Sequence, residues 1–418
     1  MTISITLPLA TGEPEALTLN PTGPWRKPTA LITARKVYAA AHVTPRVLGN
    51  NVPGAPADID WDATLAFRRE LWSWGVGIAD AMDTAQRGMG LDWAATQELI
   101  NRSAAEAALI ATPERTVRDL LACGAGTDQL DPATMEPGKA GLAAVLAAYR
   151  EQIAVVEASG AKVIIMASRA LAKVASGPED YLALYGTLLN EVKEPVVLHW
   201  LGTMFDPALA GYWGSDDIAA ATATFQQLIE VHAAKVDGVK VSLLDAGHEV
   251  ALRASLPEGV RLYTGDDFNY PELIDGDGTH YSDALLGIFA AIAPAASTAL
   301  QEYDAGRPAE ARAILDSTRE LGLHIFEAPT YYYKTGIAFL AWLNGNQAGF
   351  QMVGGLHSGR DLHHLVKLFR LANTAGLLLR PELAATRMAG FLNAAGFSSE
   401  ASVESAGAAA AVLQGVDA

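Results

Sequence analysis

Residues 236–242, Val236-Asp-Gly-Val-Lys-Val-Ser242, set one lysine in the middle of an apolar, β-branched run. Val239 and Val241 flank Lys240, so the stretch reads as the interior of a short strand. Lysine is among the residues least often buried, and one placed inside a strand needs a reason. In an apolar setting its ammonium is desolvated, its pKa falls, and the free amine becomes a nucleophile for carbonyl carbon. The competing reading is an outward-facing lysine whose stem lies along a helix with its head in water.

Working outward from this run, the same pattern recurs on both sides. Short apolar runs at 37–43, 76–82, 119–123, 163–167, 196–200, 238–242, 261–264 and 278–282 alternate with helical patterns such as 61–72, 93–107, 142–158, 218–234 and 249–255. Eight such strands, apolar throughout as expected when both faces are buried, predict an α/β fold, a parallel (β/α)8 TIM barrel, over residues 36–307. The third run, 119–123, could equally extend the preceding helix. Before the barrel, residues 1–35 predict a hairpin and linker, with two alternating runs around Gly12-Glu-Pro14 that could cap the barrel base. After it, residues 308–418 form a C-terminal helical extension, with apolar residues at helical spacing over 309–320, 332–343, 361–375 and 381–395. The Ala-, Ser- and Gly-rich end beyond Ser398 reads as frayed.

Composition excludes several function classes. Half of the 418 residues are apolar and 18% are charged, so the chain has ample core; its net charge of −17 argues against nucleic acid and against anionic membrane surfaces as partners. Cys123 is the only cysteine, which rules out an internal disulfide and a thiolate zinc cluster. The N-terminal 21 residues lack a basic segment followed by an apolar core, and no Ala-rich stretch reaches the length of a membrane span. The expectation is a cytoplasmic, soluble protein.

In a parallel barrel the functional groups sit at the C-terminal ends of strands. That rule selects His42, Thr44 and Arg46, then Asp83 and Thr84, Thr127 and Asp128, Ser168 and Arg169, His199, Lys240, Asp266 and Asp267, and His280 with Tyr281. His199, in the strand-like Pro195-Val-Val-Leu-His-Trp200, could relay protons at a barrel mouth, its unperturbed pKa of about 6.5 being suited to that work. It could equally be a core histidine bonded to backbone, and His42 and His280 share the ambiguity. Three strand-end histidines with Asp83 could also bind a divalent metal, although no short His-x-His pair supports it. Cys123-Gly-Ala-Gly-Thr127 needs no phosphate to explain it, His363-His364 puts one histidine on any helical face and reads as surface, and Tyr331-Tyr-Tyr-Lys334 reads as packing.

At Lys240 the sequence meets a family. Residues 236–242 resemble the sixth strand of the dihydrodipicolinate synthase/N-acetylneuraminate lyase superfamily, whose Schiff-base lysine follows a Gly-hydrophobic pair. Leu262-Tyr-Thr-Gly-Asp-Asp267 is similar to its seventh strand and small-Gly-acidic turn, and Gly276-Asp-Gly-Thr-His280 to the entry of its eighth. Upstream, Val43-Thr-Pro45, Ile59-Asp-Trp61 and Cys123-Gly-Ala-Gly-Thr127 resemble the first-strand turn, the first helix start and the third-strand Gly-x-Gly motif. The resemblance spans about 36 to 379 and implies a barrel with trailing helices, imine chemistry at Lys240 with no organic cofactor, and a homodimer or homotetramer. Departures come with it. Where the family's second strand ends in Gly-Thr-Thr-Gly-Glu, this chain has Ala81-Met-Asp-Thr-Ala-Gln86. His199 stands at the fifth-strand tyrosine, and Gly202-Thr-Met-Phe205 lacks the arginine that follows it. A carboxylate at Asp83 disfavours pyruvate and favours substrate hydroxyls, pointing to a divergent branch acting on a keto-sugar or related polyhydroxy carbonyl.

Three functions therefore compete. In a class I aldolase, lyase or dehydratase, Lys240 forms the imine, His199 moves the proton, Asp83, Thr84 and His42 hold substrate, and Asp267 or His280 supplies a second acid–base group. A metal-dependent aldolase, isomerase or epimerase would use Asp83, His199, His42 and His280 as ligands. A catalytically silent barrel would bind a sugar-like ligand without turnover.

Overall fold

A computed structural model describes residues 2–82 and 87–404 of the chain. Eight parallel strands close into a barrel: Val37–Ala40, Gly77–Asp80, Leu121–Ala125, Lys162–Ile165, Val196–Leu201, Val236–Ser242, Arg261–Thr264 and Asp283–Leu286, each hydrogen-bonded to the next and the last to the first. Nearly every strand residue is buried, because the lumen fills one face and the surrounding helices cover the other. Tyr38, Ala40, Ala79, Ala122, Ile164, Val197, Tyr263 and Leu285 pack together inside the barrel as a cluster distinct from the larger core between strands and helices. The expected (β/α)8 TIM barrel with trailing helices is what the chain forms.

Two strand boundaries differ from expectation. The third strand begins at Leu121, because Thr116 and Asp119 form a reciprocal cap that closes a single helical turn at Val117–Leu120. The eighth strand is Asp283–Leu286, not 278–282. The earlier segment is a turn: the Asp277 carboxylate accepts from the backbone N–H of Thr279 and of His280 at 2.9 and 2.7 Å, and Gly276 and Gly278 take positive φ. The true strand, Asp283-Ala-Leu-Leu286, runs directly into an alanine-rich helix, Phe289–Asp304, and its short apolar run merges with that helix in the sequence pattern.

The C-terminal extension comprises Pro308–Asp316, Arg319–Ile325, Tyr333–Leu343, Leu362–Thr374 and Pro381–Ala394. Past Ser398, where the sequence reads as frayed, the described chain forms a strand: Ala401–Glu404 adds antiparallel to the N-terminal strand Thr2–Pro8, which itself pairs with Pro14–Thr18. This three-stranded sheet packs on the Pro381–Ala394 helix. The linker behind it is tied to the same extension, with Trp25 Nε1 donating to the Gly376 carbonyl at 2.8 Å and Asn20 N–H to Asn373 Oδ1 at 2.8 Å. Among the described residues no helix is long and apolar enough to cross a membrane.

One buried ion pair fixes the first two strands against their helix. Arg68, on the helix Trp61–Ser73, and Asp80, at the end of the second strand, are both fully buried with Nη2–Oδ1 at 2.6 Å. Arg68 also donates to the His42 and Thr64 carbonyls, and Ser103 Oγ donates to Asp80 Oδ2, so the pair's remaining hydrogen-bond capacity is used.

Candidate active site at the barrel mouth

Lys240 and His199 are register partners on the adjacent sixth and fifth strands, and Lys240 also pairs in register with Tyr263 of the seventh. Register partners in a parallel sheet project to the same face, and Tyr263 belongs to the lumen cluster. Lys240 therefore points into the barrel, 8% exposed, and not out along a helix. Its stem needs room that only glycine leaves: a Cβ on Gly265 would stand 3.0 Å from Lys240 Cε and 2.1 Å from Ser242 Oγ. His199 is buried beside it, with Nε2 3.3 Å from Ser242 Oγ. Lysine, histidine and serine thus line one patch of lumen wall toward the C-terminal strand ends.

A second lysine arrives from outside the barrel. Lys334 sits at the start of the Tyr333–Leu343 helix, is 1% exposed, and donates to the Ala40 carbonyl at the end of the first strand. Burial pushes its ammonium down to about 7; the Asp267 carboxylate works against that and the Lys240 charge adds to it. Asp267 follows the seventh strand, is also buried, and accepts from the Ile288 N–H at 2.8 Å. Burial raises its carboxyl to about 7, opposed by the Ile288 hydrogen bond and by the charges of Lys240 and Lys334. An acid and a base both poised near neutrality, within electrostatic reach of a lumen lysine, form the kind of arrangement that proton transfer uses. The neighbouring Asp266 is occupied as a cap, accepting from Phe268 N–H and Asn269 N–H and from the Asn269 side chain.

The other residues expected in the site are dispersed. His42 Nε2 lies 2.8 Å from Gln347 Oε1 and its ring packs 5.0 Å from Phe67, so the imidazole braces the end of the first strand against the Trp61–Ser73 helix and the segment after Tyr333–Leu343. Burial, opposed by the Gln347 hydrogen bond, lowers its pKa to about 3. His280 is not brought to the others: it lies in the turn before the eighth strand, at the opposite end of the barrel, its side chain 65% exposed and Nδ1 3.5 Å from Asp277. Asp83 and Thr84 fall outside the described residues. Among the described residues His280 stands apart from His42 and His199, so these three histidines do not form one ligand set.

Above the third to fifth strands a cavity of about 170 Å3 opens, lined by Arg87, Thr127, Ser168, Arg169, Asp206 and Tyr331 among others. Each arginine is matched to a carboxylate: Arg87 to Asp128 at 2.8 Å and Arg169 to Asp206. Burial would raise the Asp128 carboxyl, but the Arg87 guanidinium holds it below its usual range. Arg87 also donates to the Ala81 and Gly124 carbonyls and to Gln152, stapling together the ends of the second and third strands. The described lining of this cavity does not include Lys240.

Sequence reasoning missed Lys334. The strand-end rule cannot select a residue on a C-terminal helix, yet a signal existed: Lys334 is the one charged residue in Tyr-Lys-Thr-Gly-Ile-Ala-Phe-Leu-Ala-Trp-Leu343, as Lys240 is in its own run's core.

Solved structures of similar fold come from the dihydrodipicolinate synthase family. A dihydrodipicolinate synthase from Aquifex aeolicus superposes with a TM-score of 0.60 at 12% identity, over 83% of this chain and 99% of that one. YagE, a prophage protein of the dihydrodipicolinic acid synthase family from E. coli K12 in complex with pyruvate, gives 0.59 at 13%, over 80% and 98%. The chloride-inhibited enzyme from Acinetobacter baumannii complexed with pyruvate gives 0.59 at 14%, over 82% and 100%. At these identities the likeness is one of fold. Compared by sequence, curated proteins give no match. Residues 5–397 match the family described as "Protein of unknown function (DUF993)", and the chain belongs to that family.

Proposed function

We propose that this protein is a class I, imine-forming lyase, an aldolase or dehydratase, that uses Lys240 on a keto-sugar or keto-acid-like carbonyl substrate. The observation that carries the reading is the position of Lys240: buried, on the sixth strand, pointing into the lumen over Gly265 beside His199 and Ser242. The fold shared with dihydrodipicolinate synthases adds support. The Lys240 amine attacks the carbonyl carbon, water leaves, and the protonated imine withdraws electrons from the adjacent carbon. A neighbouring base then takes the proton whose removal permits C–C cleavage or β-elimination. His199 is the base on the strand wall. Lys334 and Asp267, both near neutrality, can return the proton or stabilise a leaving oxygen. Asp83 and Thr84 are assigned to substrate hydroxyls. His42 acts by holding the first strand, and His280 takes no part. No organic cofactor enters the scheme, and a cytoplasmic homodimer or homotetramer is the expected working form.

The test is inactivation by borohydride. Purified protein is incubated with keto acids and keto sugars, pyruvate included, then reduced. One carbonyl class should give irreversible mass addition in the parent and none in Lys240→Ala. Equal labelling of both proteins would remove the proposal.

A further inference from the structure

Away from the barrel, two buried histidines and one carboxylate converge on a point. His324, on the Arg319–Ile325 helix, places Nδ1 3.1 Å from Glu327 Oε2; His364, on the Leu362–Thr374 helix, places Nδ1 2.9 Å from Glu327 Oε1. The rings stack 25° from parallel with centroids 4.0 Å apart, and one ligand atom from each of the three residues lies within 4.8 Å of the others. The histidine side chains are about 5% exposed, while the Glu327 side chain is 44% exposed and opens the point to solvent. His364, expected on the surface, is packed inward instead.

Hydrogen-bond arithmetic at His324 singles this cluster out. Its Nε2 lies 2.9 Å from the His364 backbone carbonyl, which can only accept, so Nε2 carries the proton. In the neutral ring Nδ1 is then a bare lone pair facing a carboxylate oxygen at 3.1 Å, acceptor against acceptor. Something positive must lie between them. A ring nitrogen that donates to a backbone carbonyl while its partner nitrogen faces a carboxylate is also how metal-bound histidines are oriented. Zinc bonds of about 2.0–2.2 Å to nitrogen and oxygen put neighbouring ligand atoms roughly 2.9–3.4 Å apart, and the two N···O separations fall in that range.

We propose that His324 Nδ1, His364 Nδ1 and Glu327 bind one divalent transition cation of the zinc type, with water completing the shell from the solvent side. Two imidazoles and a carboxylate favour such a cation over calcium or magnesium, which prefer all-oxygen shells. Binding releases the proton held at this point. Arg360 braces the same corner by donating to the Ile325 and Glu327 carbonyls, and its charge tempers the affinity. The cation would clamp the two helices together and fix Glu327, from which the chain runs to Tyr331 at the mouth cavity and Lys334 over the lumen.

The experiment uses tag-free full-length protein, stripped with chelator and dialysed. On titration with Zn2+ or Co2+ it should take up one equivalent per chain, show the visible absorption of bound Co2+, and unfold at a higher Tm. Glu327→Gln, at the partly exposed ligand, should weaken zinc binding by about tenfold or more and abolish the Tm rise, with an unchanged circular dichroism spectrum. His324→Gln should act alike. No uptake by natively folded protein, or uptake that Glu327→Gln leaves intact, overturns the site; a 15N spectrum showing His324 as imidazolium in the presence of zinc would identify a proton in the metal's place.

Discussion

The barrel has buried lysines toward both ends, one at the base and two toward the mouth, and their described surroundings differ. At the base, Lys162 of the fourth strand is 5% exposed and its Nζ lies 2.9 Å from Asp237 Oδ2, to which the Tyr263 hydroxyl also donates at 2.7 Å. Burial lowers the Lys162 pKa and Asp237 opposes the change. That ammonium is one half of a close ion pair, an element of structure. Toward the mouth, Lys240 lies over Gly265, and Lys334 bonds a backbone carbonyl while Asp267 influences it from farther off. A close carboxylate fixes a lysine's charge; burial with a carbonyl bond and a more distant carboxylate brings the Lys334 ammonium down to about 7. Lys162 and Lys334 differ in how near their carboxylate stands rather than in depth of burial.

The sharpest way to break this contrast is to remove each lysine. Lys240→Ala should lower turnover by roughly 10^4-fold or more, as loss of a covalent nucleophile does, without unfolding the protein. Lys162→Ala should leave imine formation intact and cost stability instead, read as a lower urea midpoint. Equal losses of activity in both would erase the distinction. Lys334→Met comes next. It should slow turnover by about 10^2-fold and remove the inflection near pH 7 from the pH–rate profile, the size and sign expected of an acid–base group.

Gly265→Ala tests whether the seventh-strand turn makes room for the lysine: its methyl would meet Lys240, Ser242 and the Val241 carbonyl at 2.6 Å, so carbonyl trapping should fail in protein that still folds. On stability, Asp80→Ala should cost about 3–5 kcal/mol by stranding Arg68 as a buried charge, measurable by denaturant unfolding.

The smallest effect concerns pH. Asp267 has a folded pKa raised to about 7 from 3.8. Its contribution to stability is therefore fully present below pH ~3.8 and is lost as pH rises through about 7. Lys334, lowered to about 7 from 10.5, has the opposite sign: its contribution is present above pH ~10.5 and is lost as pH falls through about 7. Asp267→Asn should flatten the decline between pH 4 and pH 7, and Lys334→Met the rise above it. Urea midpoints taken at several pH values separate the two limbs.

The barrel was legible because strand periodicity and strand-end chemistry are local. Lys240, His199 and Asp267 each announce themselves within a few residues of an apolar run, and the fold brings them to one end. His280 misled because the Asp277 turn resembles a strand entry, while the real eighth strand is hidden against an alanine-rich helix. Lys334 is marked locally as a lone charge in an apolar helix, but its place over the lumen, like the His324–Glu327–His364 cluster, depends on how C-terminal helices pack, which no local pattern encodes. The same holds for the strand Ala401–Glu404, whose partner lies at the other end of the chain.

The measurement that bears most directly on the imine reading is peptide mapping of a borohydride-reduced adduct, because it asks which of the three buried lysines reacts. The account predicts substrate-derived mass on the peptide containing Lys240 alone, with Lys162 and Lys334 unmodified. An adduct on Lys334, or reduced protein carrying none with every carbonyl class tried, would contradict it.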